Sequence, residues 1–333
     1  MLRYLATVLF LAPNIGSATP AKIRVGSSPV LSSAGIYLAV DEGYFKEQGL
    51  DVEVTDVANS GAPMTLLLSK NELEVGAGNL SSGLFNAALQ GQEFKLVADK
   101  GHVQQGRDYI ALIVRQDLID SGRFKSLKDL KGMKMGLTAL DGVSQQIVAE
   151  RFLKKGGLSD KDAEFVKLSY AEMNTTLKTK SLDATIQLEP FVAQAEIGKF
   201  AQRIAGSNDV HPGQQSAAIF YSPGFASKRR EEAVKFMTAY LKGVRLYNKS
   251  LTDPEAQKKV RAHLGKRMKI TDEAIWDKMI PIGLKDNGEM NVVSLDEDLK
   301  WYKAKGYLKG DLAATKVVDH SFVREAVKRL DGK

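Results

Sequence analysis

Four times along this chain a short β-rich run ends in a polar loop and gives way to apolar residues at helical spacing. The stretches are residues 23–54 (IRVGSSPVLSSAGIYLAVDEGYFKEQGLDVEV), 71–91 (NELEVGAGNLSSGLFNAALQG), 132–157 (GMKMGLTALDGVSQQIVAERFLKKGG) and 181–198 (SLDATIQLEPFVAQAEIG). In each, Gly, Ser, Thr, Asp or Asn stands where the strand stops and the helix begins. Strands that alternate with helices predict mainly parallel sheets flanked by helices, an α/β fold. No fixed-period repeat is visible, which excludes a solenoid.

The length predicts two lobes. The chain has 333 residues, more than a single core usually serves. Two further strand-like runs, YIALIVRQD at 109–117 and SAAIFYSPGF at 216–225, flank a compact block with its own strands and helices. Within that block, Ser126 is placed to cap a short helix before Gly132. The expected division is lobe 1 over 19–116 and 216–333 and lobe 2 over 117–215. The chain then crosses twice, which makes a two-strand hinge. After Phe225 the pattern is almost wholly helical.

The first eighteen residues read as an export signal. Arg3 precedes the apolar run YLATVLFLA, then Pro13 and the small residues Gly16, Ser17 and Ala18. The run is too short to span a membrane. No other segment is long and apolar enough to do so. The chain has no Cys, which excludes disulfides, thiolate metal sites, cysteine nucleophiles and a lipid-anchored Cys. The expectation is a diffusible periplasmic protein with a cleaved signal and no lipid anchor. The net charge of +7 comes largely from Lys and Arg after Ser227, interleaved with apolar residues in the manner of solvent-facing helices. That argues against a nucleic-acid partner, although a basic balance also draws in anions.

Taken in order, the segments SSAGIYLAVDEGYFKEQGLDVEV, EVGAGNLSSGLFNAALQGQEFKLVA, SLKDLKGMKMGL and DATIQLEPFVAQA resemble the ABC-transporter solute-binding proteins of the sulfonate, taurine, nitrate and thiamine-pyrimidine-precursor superfamily. The resemblance covers nearly all of the chain after the signal. It implies a type II periplasmic binding protein fold with the ligand between two lobes, hinge closure, an inner-membrane ABC permease as partner, and no cofactor. A monomer is the expected state.

In open α/β sheets ligands bind beyond the carboxyl ends of the strands. There the four loops feed helix N-termini, whose free N–H groups favour a carboxylate, sulfonate or phosphate. The candidate ligand-binding residues are Ser32, Ser33 and Tyr37 in the first unit, Asn79, Ser81 and Ser82 in the second, and Thr138, Gly142, Val143 and Ser144 in the third. For each serine, helix capping is an alternative that does not exclude binding. Gly142 would let backbone approach a ligand closely. Asp141 is expected to cap the helix and point away from an anion. In the fourth unit, Gln187 and Glu189 stand at a position that lines the cleft in the resembling family. Glu189 has two readings, a ligand contact or a pair with a neighbouring Lys or Arg. The loops holding His102, Gln104, Gln105 and Arg107, and His211, Gln214 and Gln215, are expected beside the hinge. The histidines lack metal-ligand spacing.

Three functions fit these residues. The leading expectation is the solute-binding component of an ABC importer, not an enzyme, that captures a small anionic or polar organic solute (a sulfonate, a carboxylate or a heterocycle). A periplasmic ligand-sensing protein that docks on a membrane receptor is the alternative. An enzyme like the pyrimidine-precursor synthases related to the family is the third, disfavoured because those rely on a Cys-rich motif. No Ser-His-Asp set or phosphate-cradling glycine loop is evident.

Overall fold

The computed structural model describes residues 19–57 and 62–332. The expected signal at 1–18 lies outside the described residues. Among the described residues, ten strands form two five-stranded sheets. In chain order they are β1 (Ala21–Ser27), β2 (Leu50–Asp56), β3 (Val75–Asn79), β4 (Lys95–His102), β5 (Ile110–Arg115), β6 (Lys134–Leu137), β7 (Glu164–Lys167), β8 (Ala184–Leu188), β9 (Ala201–Gly206) and β10 (Gln215–Tyr221). The first sheet runs β2-β1-β3-β10-β4 and the second β7-β6-β8-β5-β9.

The two sheets are built alike. β1 pairs in parallel with β2 and β3, and β6 with β7 and β8. In each sheet one antiparallel strand follows that trio: β10 between β3 and β4, and β5 between β8 and β9. These two are the crossing strands. The chain leaves the first sheet at the end of β4 and re-enters order as β5, deep in the second. It leaves the second sheet after β9 and returns as β10, deep in the first. β5 and β10 are buried along their whole length, as strands covered on both faces must be. The expected boundary at 117 therefore falls too late. An apolar run says that a strand is buried, not in which sheet, and β5 already belongs to the second.

All four strand-to-helix units are present. β1 leads through a short turn at Leu31–Ser33 to the helix Ala34–Asp41, β3 to Ser82–Leu89, β6 to Ser144–Lys155 and β8 to Phe191–Ile197. Ser126 and Asp129 form a capping box at the turn Leu127–Leu130. After Phe225 the named elements are all helices. The longest, Arg230–Lys249, buries Ala233, Val234, Met237, Tyr240, Leu241 and Val244 along one stripe. It packs on Ala34–Asp41 with almost no spacing: a Cβ on Gly243 would lie 2.1 Å from the Gly35 carbonyl oxygen. Phe236, fully buried, stacks on Phe45 with ring centroids 4.7 Å apart. Burial of a side chain of that size contributes about 1.5–3 kcal/mol.

Candidate functional site in the cleft between the sheets

The segments that follow β3 and β6 meet, and the two lobes are in contact there. Leu80–Ser82, after β3, lies against Gly142–Ser144, after β6. Ser82 N donates to the Gly142 carbonyl at 2.7 Å, and Ser144 N to the Leu80 carbonyl at 3.2 Å. Ser81 and Val143 form an isolated β-bridge. Ser82 Oγ donates to the Asp141 carbonyl. This seam lies over the start of β10, because Leu80 N and Ser144 Oγ both reach the Ser216 carbonyl, at 3.0 and 3.4 Å. Gly142 has φ +92°. A Cβ there would lie 2.9 Å from Ser82 Cβ, so a side chain would push the lobes apart.

Beside the seam is a polar cluster centred on Tyr170, the first residue of the helix Tyr170–Lys178. Its hydroxyl accepts from Asn79 Nδ2 at 2.9 Å and from Gln145 Nε2. Thr138 Oγ1 donates to Gln145 Oε1 at 2.7 Å. Asn79 belongs to the first lobe, and Thr138, Gln145 and Tyr170 to the second. Thr138 also lies within hydrogen-bonding reach of this hydroxyl. Burial pushes the Tyr170 hydroxyl up, with Asn79, Gln145 and Thr138 opposing the shift. Phe191 stacks on the ring at 5.9 Å.

The cluster continues to the two crossing strands. Tyr109, just before β5, places its hydroxyl 2.7 Å from Ser216 Oγ, just inside β10. This pair ties the two crossing strands together. Gly101 lies against it: a Cβ there would lie 2.9 Å from the Tyr109 hydroxyl and 3.5 Å from Ser32 Cβ. On the far side, Lys100 Nζ donates to Ser32 Oγ at 2.7 Å, and both residues are buried.

Most of the remaining sequence candidates are used inside their own lobes, while Glu189 also reaches Ile280, after β10. Ser33 Oγ donates to the Ser28 carbonyl at 2.7 Å and lies 2.9 Å from Ser27 Oγ. Ser81 Oγ caps its helix by accepting from Leu84 N. The Tyr37 ring packs beneath the Arg267 guanidinium, and burial pushes its hydroxyl up to about 12. Gln187 Nε2 reaches the Tyr170 carbonyl and Asn174 Oδ1, and its Oε1 accepts from Leu188 N. It therefore holds the helix Tyr170–Lys178 on β8. Glu189 takes the ion-pair alternative. Its Oε1 accepts from Arg203 at 2.6 Å and from Ile280 N, and its Oε2 from Ala193 N. Burial pushes this carboxyl up against the pull of Arg203. Three protein donors, one of them a guanidinium, already engage this buried carboxylate.

The histidines near the hinge are also engaged. His102 Nδ1 lies 2.9 Å from Asp99 Oδ2, and His211 Nε2 2.6 Å from Asp298 Oδ1. Among the described residues no three His, Cys, Asp or Glu side chains are grouped to hold a metal ion.

Comparison with known proteins decides the family. The family model described as NMT1/THI5 like matches residues 31–256. The chain belongs to the NMT1/THI5-like family. A curated relative from Haemophilus influenzae, named a putative thiamine biosynthesis protein, is 26% identical over 189 residues, which is 56% of this chain and 56% of that protein. The chain thus spans just over half of the curated relative that it matches. Among solved structures, the ligand-binding component of an ABC-type import system from Staphylococcus aureus, with zinc bound, aligns with a TM-score of 0.74 at 14% identity. The alignment covers 92% of this chain and 99% of that one. The alkanesulfonate-binding protein SsuA from Xanthomonas axonopodis pv. citri, bound to MOPS, aligns with a TM-score of 0.71 at 14% identity, covering 91% and 99%. At such identities these likenesses establish the fold, the two-lobe periplasmic binding protein fold.

In this NMT1/THI5-like chain, sequence reasoning missed several residues of these clusters, among them Lys100, Gln145, Tyr170 and Ser216. Tyr170 carried a signal. Ser169 and Glu172 have capping-box spacing and do form the box, which announces a helix start directly after β7. Lys100 carried none, because it ends an otherwise strand-like run.

Proposed function

We propose that this protein is the solute-binding component of an ABC importer. It captures a small anionic or polar organic solute between its lobes and presents the closed form to an inner-membrane permease. The observation that carries this reading is the Tyr170 hydroxyl, which takes one hydrogen bond from each lobe. Around it stand neutral donors and acceptors from both lobes: Asn79, Thr138, Gln145, Tyr109 and Ser216. Such a set selects a polar solute by hydrogen bonding and makes closure depend on both lobes.

The mechanism is a shift between open and closed populations. β5 and β10 form the hinge, pinned at Tyr109 and Ser216. A solute that enters the open cleft meets the loops after β1 and β3 first. Contacts with Thr138, Gln145 and Tyr170 then favour closure. The seam from Leu80 to Ser82 and from Gly142 to Ser144 re-forms, assisted by Gln146 Nε2 to the Tyr307 hydroxyl at 2.9 Å and by Lys305 to Glu150 and Asp160 at 2.6 and 2.7 Å. In this reading the protein works in the periplasm, as a monomer without a cofactor. The lobes divide near 108 and 214, where the chain passes between the sheets.

Thermal-shift screening tests the function. A solute at 100 times its Kd adds about 2.7 kcal/mol of stability. Sulfonates, carboxylates and heterocycles such as aminopyrimidines form the panel. Stabilisation by one member with no chemical change in that compound supports capture. The name of the Haemophilus relative favours a second reading, synthesis of a thiamine precursor. Conversion of the compound on incubation with the protein would support that reading and overturn the first.

A further inference from the structure

We infer that Lys100 is the counter-charge for an anionic group of the bound solute, held between its ammonium and the Ser32 hydroxyl in the turn that follows β1. The inference rests on the solute-binding reading and names the charge that it selects.

Lys100 is placed by a break in the sheet. β10 pairs Ala217 with Gly101 and Ala218 with Asp99, so Lys100 is the extra residue of a bulge. Bulges re-aim side chains and recur beside functional sites. Here the bulge sends a lysine, 2% exposed, to the turn at Leu31–Ser33 that opens the first helix. Val30, at the start of that turn, supplies no side-chain cap.

The ammonium lacks an opposite charge. It has three protons to give, and its hydrogen bond goes to the neutral Ser32 Oγ. Among the described residues no carboxylate lies within ion-pair distance of Lys100. Its neighbour Asp99 is turned away and accepts from Gly101 N, His102, Gln215 Nε2 and Lys285 N, at 2.7 to 2.9 Å. The other deeply placed cations differ: Arg203 pairs with Glu189, and Arg115 with Asp117 and Asp183. A buried charge without a partner is costly. The cost is met when an anion arrives. Burial accordingly pulls the Lys100 ammonium down to about 7, which Asp99 opposes. The position is also right. Ser32 flanks Gly101, and Gly101 lies against the Tyr109 hydroxyl, so the Lys100–Ser32 pair stands near the residues that join the crossing strands. A carboxylate, sulfonate or phosphate held there would place the rest of the solute toward Tyr170.

The test compares wild type with Lys100→Met. The anionic probes are acetate, benzoate, methanesulfonate and inorganic phosphate. Acetamide, benzamide and methanesulfonamide are the neutral controls. The expected result is that at least one anion raises the melting temperature of wild type more than its neutral counterpart does. Calorimetry then shows its affinity falling at least tenfold in Lys100→Met, whose ligand-free melting temperature equals or exceeds that of wild type. Absence of stabilisation by all four anions overturns the inference, as does an anion that binds the variant within about twofold of wild type. If a neutral heterocycle such as cytosine binds both proteins equally and no anion does, solute binding stands and the role of Lys100 falls. Should Lys100→Met fail to fold, Lys100→Gln and Ser32→Ala are measured in the same way, with the same outcomes decisive.

Discussion

Asn79 Nδ2 lies 2.9 Å from the Tyr170 hydroxyl, so the end of β3 in one lobe is bonded to the start of a helix in the other. Gln145 donates to the same oxygen from the second lobe. Tyr170→Phe removes the shared acceptor and leaves two amide groups facing a ring. A neutral hydrogen bond contributes about 0.5–1.5 kcal/mol. The expected outcome is a ligand-free protein destabilised by about that amount and an affinity for its solute lowered by roughly tenfold. Calorimetric titration and melting on the same sample measure both. Unchanged affinity would place the solute away from Tyr170.

Glu189 predicts a change in stability. Its partner Arg203 has a side chain 15% exposed. Glu189→Ala leaves this guanidinium without a counter-charge and frees Ala193 N and Ile280 N. Breaking a buried pair from one side costs about 3–5 kcal/mol. Urea unfolding of Glu189→Ala should show a loss of that order, and Glu189→Gln a smaller one because the amide oxygen still accepts. Equal stability of Glu189→Ala and wild type would refute the structural role.

These two residues also mark how far the sequence could be read. The strand-to-helix units were legible because their signals are local: a β-rich run, a loop of Ser, Gly or Asn, then helical periodicity. The same logic singled out Asn79, Ser81, Ser82, Thr138, Gly142, Val143 and Ser144 as candidates, since all lie at or just after strand ends. It did not find that Ser81 and Ser82 meet Val143 and Gly142, because no local signal carries how the two sheets are placed against each other. The two readings of Glu189 were both open, and the choice depended on Arg203, fourteen positions away and on another strand. Lys100 was invisible for a similar reason. A lysine at a strand end normally reaches solvent, and only the pairing of β4 with β10 creates the bulge that turns it inward.

Gly142 offers a test of closure. At φ +92° a side chain is strained, and a Cβ would lie 2.9 Å from Ser82 Cβ. Gly142→Ala should therefore favour the open form. Small-angle scattering should give a larger radius of gyration than wild type without ligand, and affinity for the solute should fall because closure now costs more. Identical scattering and identical affinity would show that the seam does not govern closure.

The Lys100 ammonium predicts how stability changes with pH. In the folded protein it titrates at about 7, and in the unfolded chain at about 10.4. Between those values the unfolded chain holds a proton at this position that the folded protein has released. Stability then rises with pH by up to about 1.4 kcal/mol per unit from this group. Below about pH 7 both states are protonated, the slope vanishes and the full burial cost remains. Lys100→Met has neither the cost nor the slope. Unfolding by urea at steps from pH 6 to pH 9 should show the variant more stable than wild type at pH 6, with the gap closing above pH 7. Asp99, the neighbouring charge, is present in both proteins and cancels in the difference. Binding gives the opposite trend. An anion needs the ammonium, so its affinity for wild type should fall by up to tenfold per pH unit above 7, while a neutral solute keeps its affinity. A gap that stays constant from pH 6 to pH 9 would mean that Lys100 remains charged in the folded protein throughout, stabilised by something other than the solute.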